Sequence, residues 1–248
     1  MPAGKVVFRR SGGVVYLTLD RPRTGNRLSA DMADALLQWC PALDQDPTVR
    51  LVVLTGRGAC FSCGWEPLRP GQGPVRAAGA LAAVHKPIIA AVNGDCTDQG
   101  LELALACDIR VAVPEARFGL THTAHGLIPW DGGTQRLSRL LGPARAMEML
   151  LLAELVDGQQ AYQMGLVHRL AESGELWDVV EEVASRILGG ASVALAYAKE
   201  AVHHGMDMTL EQGLRLEADL NFILHSTSDR AEGIRSFLER RSPRFTGE

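Results

Sequence analysis

Short apolar runs alternate with helical patterns through the first two thirds of the chain. Five runs are rich in aliphatic and β-branched residues and are bounded by turn-forming residues, which is typical of buried strands. Two windows, 29–40 and 99–109, instead carry apolar residues at helical spacing, and Ser29 is a suitable N-cap for the first. The predicted strands are 6–8, 14–19, 49–55, 87–92 and 109–113.

Helical patterns dominate from residue 134 onward, interrupted only by strand-like pieces at 155–156 and 167–170. Alternating strands and helices followed by helices alone predict an α/β core with an appended helical module. We place the core in residues 1–190 and the module in residues 191–248. The later predicted helices are 144–152, 157–164, 175–188, 192–204, 209–224 and 228–241, and a shorter one is predicted at 77–85.

Length and composition narrow the class of protein. A chain of 248 residues with 46% hydrophobic residues is expected to form one large domain with a substantial core. A net charge of −4 without a dense Lys/Arg block argues against nucleic-acid binding, and no apolar run reaches transmembrane or signal-peptide length. Five cysteines, an odd number, favour a reducing, cytoplasmic location. The lone Cys60-x-x-Cys63 pair is more typical of packing than of a zinc or redox site.

Polar, glycine-containing loops follow three of the predicted strands, at 56–64, 93–98 and 118–133. Loops of this kind in a compact domain are usually functional. A fourth stretch, 66–78, is rich in Pro, Gly and Arg and is predicted to be the lid of a pocket. Behind the second loop, Glu102 lies in the first turn of a predicted helix. A carboxylate there either complements the helix dipole or carries a proton.

Five motifs in these loops resemble those of the crotonase superfamily, the enoyl-CoA hydratase/isomerase group. Each motif alone is weak, but they occur in the family's order over essentially the whole chain. The motifs are Arg21-Pro22 with Asn26-Arg27-Leu28-Ser29, Gly56-x-Gly58 with Phe61-Ser62-Cys63-Gly64, residues 93–108, residues 129–137, and Glu232-Gly233 with residues 237–245. The resemblance implies an α/β spiral of ββα units with C-terminal helices that pack homotrimers, often stacked as hexamers.

The resemblance also implies an acyl-CoA thioester as substrate, with coenzyme A as part of the substrate and no separate cofactor or metal. The family holds the thioester oxygen between two backbone N–H groups, which match Cys63 and Gln99 here, and so stabilises an enolate. Asp98 and Gln99 stand where the family usually has glycines, so the geometry of the second donor is open. Arg241 matches a basic residue that meets CoA phosphate. The expected substrate contacts are Arg27, Trp65, Trp130 and Arg241.

Hydratases of the family use two glutamates, and only the first has a counterpart here, Glu102. His122 stands at the second position, where a histidine can also relay protons near neutral pH. Asp131 stands where hydratases carry a small residue, and an aspartate acts at or next to this position in other branches of the family. We expect Glu102 and His122 on opposite sides of the substrate, with Asp131 orienting His122 or reaching a more distal carbon. A metal pair of His122 with His125 lacks an evident third ligand.

Two structural alternatives and two functional ones stay open. His122 is otherwise a packed loop histidine, and Asp131 is otherwise the cap of a helix that begins near Gly132. Besides hydration or double-bond isomerisation of an acyl-CoA, the chain resembles β-diketone hydrolases of the 6-oxocamphor hydrolase type, which pair a His and an Asp at matching positions. Because one glutamate and two loop glycines are replaced, a non-catalytic acyl-CoA binder is the third possibility.

Overall fold

The structure is a computed structural model and describes residues 5–66, 76–172 and 174–247. Most of the lid predicted at 66–78 lies outside these residues. The strands are β1 Lys5–Ser11, β2 Val14–Asp20, β3 Leu51–Gly56, β4 Cys60–Cys63, β5 Ile88–Val92, β6 Asp95–Thr97, β7 Ile109–Ala112, β8 Arg117–Gly119, β9 Val156–Asp157 and β10 Arg169–Leu170. The helices are α1 Ala30–Gln45, α2 Ala77–Ala82, α3 Gln99–Leu105, α4 Gly133–Leu152, α5 Gly158–Gln163, α6 Leu176–Leu188, α7 Ser192–Gly205, α8 Leu210–Leu224 and α9 Ser228–Leu238.

The larger sheet has six strands in the order β1-β2-β3-β5-β7-β10. The β1–β2 hairpin is antiparallel, and the remaining neighbours are parallel. Every residue of β3 and β5 is buried, since both strands contact α6 and the strand β4 of the second sheet. This two-sided burial explains why the sequence shows continuous apolar runs here rather than alternation, and all five predicted strands lie in this sheet.

A second sheet of four strands, in the order β4-β6-β8-β9, was not predicted as a sheet. A strand-like piece predicted at 155–156 overlaps β9, whereas β4, β6 and most of β8 lie in segments interpreted as loops, at 56–64, 93–98 and 118–133. Three of the sheet's strands contain only two or three residues. A period-two pattern cannot show in so few residues, so tertiary pairing rather than local preference makes these strands.

The second sheet brings three chain segments to one edge. Cys63 at the end of β4 pairs with Thr97 at the end of β6, and Thr97 pairs with Gly119 at the end of β8. All three strands are parallel, so the residues that follow them leave the sheet side by side. The segments after Cys63, Thr97 and Gly119 therefore meet at one place, which is the site described below.

The helices agree with the sequence patterns apart from their ends. Ser29 caps α1, since its Oγ accepts the Met32 N–H at 3.4 Å. The helix predicted at 77–85 ends at Ala82, and α4 runs through a kink at Gly142. Helices α7 to α9 occupy the segment predicted as a helical module. No helix in the described part of the chain is long and apolar enough to cross a membrane.

Asn26 ties the turn before α1 to the loop that precedes β4. Its side chain is fully buried, donates to the carbonyls of Arg57 at 2.9 Å and Cys60 at 2.7 Å, and accepts the Arg21 N–H at 2.9 Å. Its φ of +53° is a left-handed conformation that asparagine tolerates better than most residues. One side chain thus fixes three segments of backbone beside the second sheet.

Replacing Asn26 with alanine is expected to lower the free energy of unfolding by roughly 3 kcal/mol, because buried backbone groups lose their partners and alanine is strained at positive φ. The control is the exposed Asn221→Ala, expected within about 0.5 kcal/mol of the wild type. Urea denaturation at one fixed protein concentration measures both. Equal stabilities of the two variants would contradict the role given to Asn26.

Candidate active site

Glu102 lies fully buried in the first turn of α3. Its Oε1 accepts the backbone N–H of Asp131 at 2.8 Å and of Gly133 at 2.7 Å. A Cβ on Gly133 would lie 3.0 Å from this oxygen and 2.7 Å from the Pro129 Cβ, so the close approach needs glycine. Oε2 is also buried but has no hydrogen-bond partner among the residues that the structure describes. One oxygen of the carboxyl group is therefore fixed by two hydrogen bonds, and the other is not fixed by any described residue.

Burial is the dominant influence on the Glu102 proton. Desolvation raises the pKa of its carboxyl group to about 7, against the opposing effect of the Gly133 and Asp131 N–H groups. A carboxyl group with this pKa exists in both protonation states near neutral pH. That is the property a general acid/base needs.

His122 begins a 3-10 helix just after β8, and both of its ring nitrogens face protein groups. Nε2 lies 2.8 Å from Gln99 Nε2, so the amide donates and the ring accepts. This assignment places the ring proton on Nδ1. Nδ1 lies 3.3 Å from Asp98 Oδ1, which is close enough for an ion pair, but the two atoms are not aligned for a hydrogen bond. The indole of Trp130 packs edge-on against the ring at a centroid distance of 5.4 Å.

The environment of His122 favours the neutral ring. Burial lowers the pKa of His122 most strongly, the Asp98 carboxylate opposes this effect, and His125 adds to it. The imidazole is therefore neutral around pH 7. His122 is thus a packed, hydrogen-bonded loop histidine, and it lies between two residues of the neighbouring loop.

Asp131 does not contact His122 in the way the sequence analysis expected. Its carboxylate oxygens accept the backbone N–H groups of Ala78 at 2.6 Å and Gly79 at 3.2 Å, so it caps the first turn of α2. Burial raises the pKa of Asp131. The prediction that Asp131 orients His122 is wrong, because Asp98 occupies that position. The alternative of a cap on α4 is also wrong, since the helix it caps is α2.

Cys63 is not the first backbone donor of an oxyanion hole. Its N–H already donates to the carbonyl of Gly25 at 2.8 Å. The prediction failed because the sequence resemblance does not reveal which backbone groups neighbouring strands occupy. The Cys63 thiol is equally unsuited to chemistry, since burial and the adjacent Cys60 raise its pKa to about 12.

The backbone N–H of Trp65, two residues further on, has a different environment. Leu28 and Trp65 form an isolated parallel bridge, in which the Leu28 N–H donates to the Gly64 carbonyl at 2.9 Å and the Glu66 N–H donates to the Leu28 carbonyl at 3.0 Å. In this pattern the N–H of Trp65 points away from Leu28. The Trp65 N–H therefore lies on the opposite side of this segment from the hydrogen bonds that Gly64 and Glu66 make with Leu28.

The second predicted donor, the Gln99 N–H, is at the first position of α3 and needs no intrahelical partner. Asp98 before it has φ +50° and ψ −121°, a conformation that glycine adopts readily and aspartate does not. A Cβ on Gly64 would lie 3.4 Å from Asp98 Cβ and 3.7 Å from Gln99 Oε1, so the loops that carry the two donors are in contact.

The other predicted substrate contacts are dispersed. Trp65 and Trp130 pack edge to face with a centroid distance of 6.4 Å, and the buried Trp130 Nε1 has no partner within the described ranges. Arg27 is exposed near Cys63. Arg241 lies in the C-terminal segment, where Glu232 binds it at 2.6 and 2.9 Å. The contact of Arg241 with CoA phosphate stays a prediction. The Glu232 carboxylate would compete with that phosphate for the guanidinium group.

Sequence reasoning missed Asp98 as the partner of His122. The replacement of a glycine was noticed there, but its long-range contact depends on β6 and β8 lying side by side. No group of three or more His, Cys, Asp or Glu side chains arranged to hold a metal was found among the described residues.

Comparisons with known proteins identify the family. The family model described as enoyl-CoA hydratase/isomerase matches residues 9–248. The (E)-benzylidenesuccinyl-CoA hydratase of Thauera aromatica and the 2,3-dehydroadipyl-CoA hydratase of Escherichia coli are each 35% identical, over 98% of this chain and 99% of theirs. An enoyl-CoA hydratase structure from Bacillus anthracis superposes with a TM-score of 0.92 at 33% identity, over 98% of this chain and 100% of that one. The chain belongs to the enoyl-CoA hydratase/isomerase family, and the predicted crotonase-like α/β fold is confirmed.

The buried carboxyl group of Glu102 is expected to make stability depend on pH. Its pKa is about 7 in the folded chain against an ordinary 4.5, so the folded state holds the proton more tightly than the unfolded state. The stability this provides is present below pH 4.5 and is lost as pH rises to 7, by about 3 kcal/mol. Glu102→Gln, which keeps the shape and stays neutral, should remove this loss and be more stable than the wild type at pH 8.

The measurement is urea denaturation of both proteins at pH 5 and pH 8, with exposed Glu217→Gln as the control. The control should follow the wild type at both pH values. If Glu102→Gln loses as much stability as the wild type between these pH values, Glu102 has no raised pKa.

Proposed function

We propose that the protein hydrates the double bond of a 2-enoyl-CoA thioester, with Glu102 as the acid/base for both proton transfers. The observation that carries the proposal is the Glu102 carboxyl group. One of its oxygens is held by two backbone N–H groups, and the other is buried without a partner in the described parts of the chain. The names of the relatives support the reaction class, since they are hydratases of CoA thioesters. Coenzyme A enters as part of the substrate.

In the proposed reaction Glu102 starts as a carboxylate. It takes a proton from water while the water oxygen bonds to the β-carbon, and the electron pair of the double bond moves onto the thioester oxygen. The N–H groups of Trp65 and Gln99 would stabilise this enolate. The enolate then takes the proton from Glu102 at the α-carbon. The balance is the addition of one water molecule, and Glu102 returns to its starting state.

Double-bond isomerisation is the second candidate, and a specific observation favours it. The His122 ring faces Gln99 through Nε2 and Asp98 through Nδ1. Glu102 Oε2, which has no partner among the described residues, is therefore the atom that we assign to proton transfer. A single carboxylate suffices to move a proton from the α-carbon to the γ-carbon through the same enolate. The β-diketone hydrolase lacks such support, because the Asp131 carboxylate is bonded to α2 rather than paired with His122.

Glu102→Gln is expected to lower kcat for crotonyl-CoA by about 100- to 10,000-fold, because the amide cannot exchange a proton. Affinity for the thioester should change little, since glutamine keeps the size and the Oε1 acceptor. In the wild type, turnover should rise as pH passes about 7, where Glu102 becomes a carboxylate. Steady-state kinetics with crotonyl-CoA and with a 3-enoyl-CoA, followed by product analysis, measures both reactions.

Turnover of crotonyl-CoA supports hydration, and turnover of the 3-enoyl-CoA alone supports isomerisation. A wild-type protein that binds both thioesters without converting either would contradict the proposed function and favour a non-catalytic binder. Retention of full activity in Glu102→Gln would remove Glu102 from the mechanism.

We propose further that the chain assembles as a homotrimer or a trimer-based hexamer. The support is a set of large apolar side chains that α7 to α9 leave exposed: Val202, Met206, Leu210, Leu214, Phe222, Ile223, Phe237 and Leu238. So much exposed apolar surface is typical of a face that another chain covers.

The described cysteines are free thiols, which supports the expected cytoplasmic location.

Light scattering coupled to size exclusion should give three or six times the chain mass of 26.7 kDa. Phe222→Asp, at a side chain that is 78% exposed in the single chain, should lower that mass if the apolar surface forms the contact. A wild-type mass equal to one chain would contradict the assembly.

A further inference from the structure

Asp98, Gln99 and His122 form one interacting group, which we call the loop clamp. We propose that His122 is a positioning residue rather than a proton carrier: it grips Asp98 and Gln99 and thereby fixes the backbone between them, including the Gln99 N–H. The inference rests on the proposed function, in which that N–H binds the enolate oxygen.

The first arm of the loop clamp runs through Asp98. Its carboxylate lies 3.3 Å from His122 Nδ1 and also accepts from Thr121, from the N–H at 2.6 Å and from Oγ1 at 3.0 and 3.1 Å. The Asp98 N–H donates to the Gly119 carbonyl at 2.9 Å. Both the backbone and the side chain of Asp98 are therefore tied to the segment that carries His122.

The second arm runs through the Gln99 side chain. This amide is buried and lies 2.8 Å from His122 Nε2. The next residue, Gly100, packs directly on β4, since a Cβ there would lie 2.1 Å from the Ser62 carbonyl oxygen. Gln99 is therefore held from one side by His122 and is followed by a residue fixed against the strand that leads to Trp65.

The backbone between the two arms is strained. An aspartate at φ +50° and ψ −121° is strained and persists only where its surroundings impose this conformation. The contacts of Asp98 with Thr121 and His122 are part of these surroundings. The Asp98 carbonyl, which belongs to the same peptide as the Gln99 N–H, also accepts the Glu102 N–H at 3.0 Å. Without the contacts to Thr121 and His122, this helix bond alone holds the direction of the Gln99 N–H.

A role in proton transfer fits these contacts poorly. His122 presents neither nitrogen to open space, and burial with the nearby His125 keeps its pKa low against the pull of Asp98. The ring is therefore a neutral connector with one donor and one acceptor. An amide side chain can supply a donor or an acceptor in the same way, but it cannot carry a proton.

This difference gives a direct test. Kinetics with crotonyl-CoA are compared for His122→Ala, His122→Asn and His122→Gln. A positioning role predicts that the alanine variant loses about 10- to 100-fold in kcat, with KM within about threefold of the wild type. This loss is smaller than the loss of roughly 100- to 1000-fold that follows complete removal of an oxyanion donor, because the Gln99 N–H is displaced rather than removed. At least one amide variant should recover tenfold or more over alanine and keep the pH midpoint near 7. Amide variants as inactive as alanine would overturn the proposal.

Asp98→Asn tests the first arm, with Asp46→Asn as its matched control. Asp46 also uses its carboxylate to accept the N–H and Oγ1 of one threonine, Thr48, but lies at the exposed end of α1. Asp98→Asn should lower kcat about tenfold and leave KM unchanged, whereas Asp46→Asn should leave both unchanged. Equal kinetics of the two variants would count against the loop clamp.

Nitrogen NMR of the histidine rings tests the loop clamp without any turnover. In the wild type, the neutral ring of His122 should carry its proton on Nδ1, because Nε2 accepts from Gln99. A neutral ring that carries its proton on Nε2 would overturn the proposal even in an active enzyme. If the wild type converts no thioester, the proposed function fails, and this spectrum still decides whether the loop clamp exists.

Discussion

Two backbone N–H groups, from Asp131 and Gly133, hold one oxygen of the Glu102 carboxyl group in a place that water does not reach. The rest of the site depends on this contact. It fixes the start of α4 against α3, requires a glycine at position 133 and leaves the second carboxyl oxygen buried without a partner among the described residues. The same burial that costs folding free energy raises the pKa to about 7, where the group can both take and return a proton.

Several parts of the site carry such a cost. Asp98 is held at positive φ, and polar atoms of Glu102 and Trp130 are buried without a partner in the described structure. An unpaired buried polar atom costs about 1 to 3 kcal/mol, and these costs gather at one edge of the second sheet while the first sheet is a continuous apolar core. Unsatisfied groups in one place within a well-packed fold are what a ligand-binding site is expected to show.

The sequence predicted the α/β core, the helices and the place of Glu102 in the first turn of α3, because these depend on apolar runs and helical spacing that are visible locally. It indicated β9 but did not predict the second sheet, whose other strands contain only three or four residues. It named Cys63 as a donor, since resemblance aligns loops but does not show that Gly25 already occupies that N–H. It paired His122 with Asp131 through their separation in sequence, whereas the pairing of β6 with β8 brings Asp98 to His122.

The central claim is that Glu102 is a buried acid/base that is half protonated near neutral pH. The most direct measurement is a carbon NMR titration of its side-chain carboxyl group, assigned by the signal that disappears in Glu102→Gln. The account predicts a midpoint near 7. A midpoint near the ordinary value of 4.5 would show that Glu102 is a permanent carboxylate at neutral pH and would contradict the mechanism.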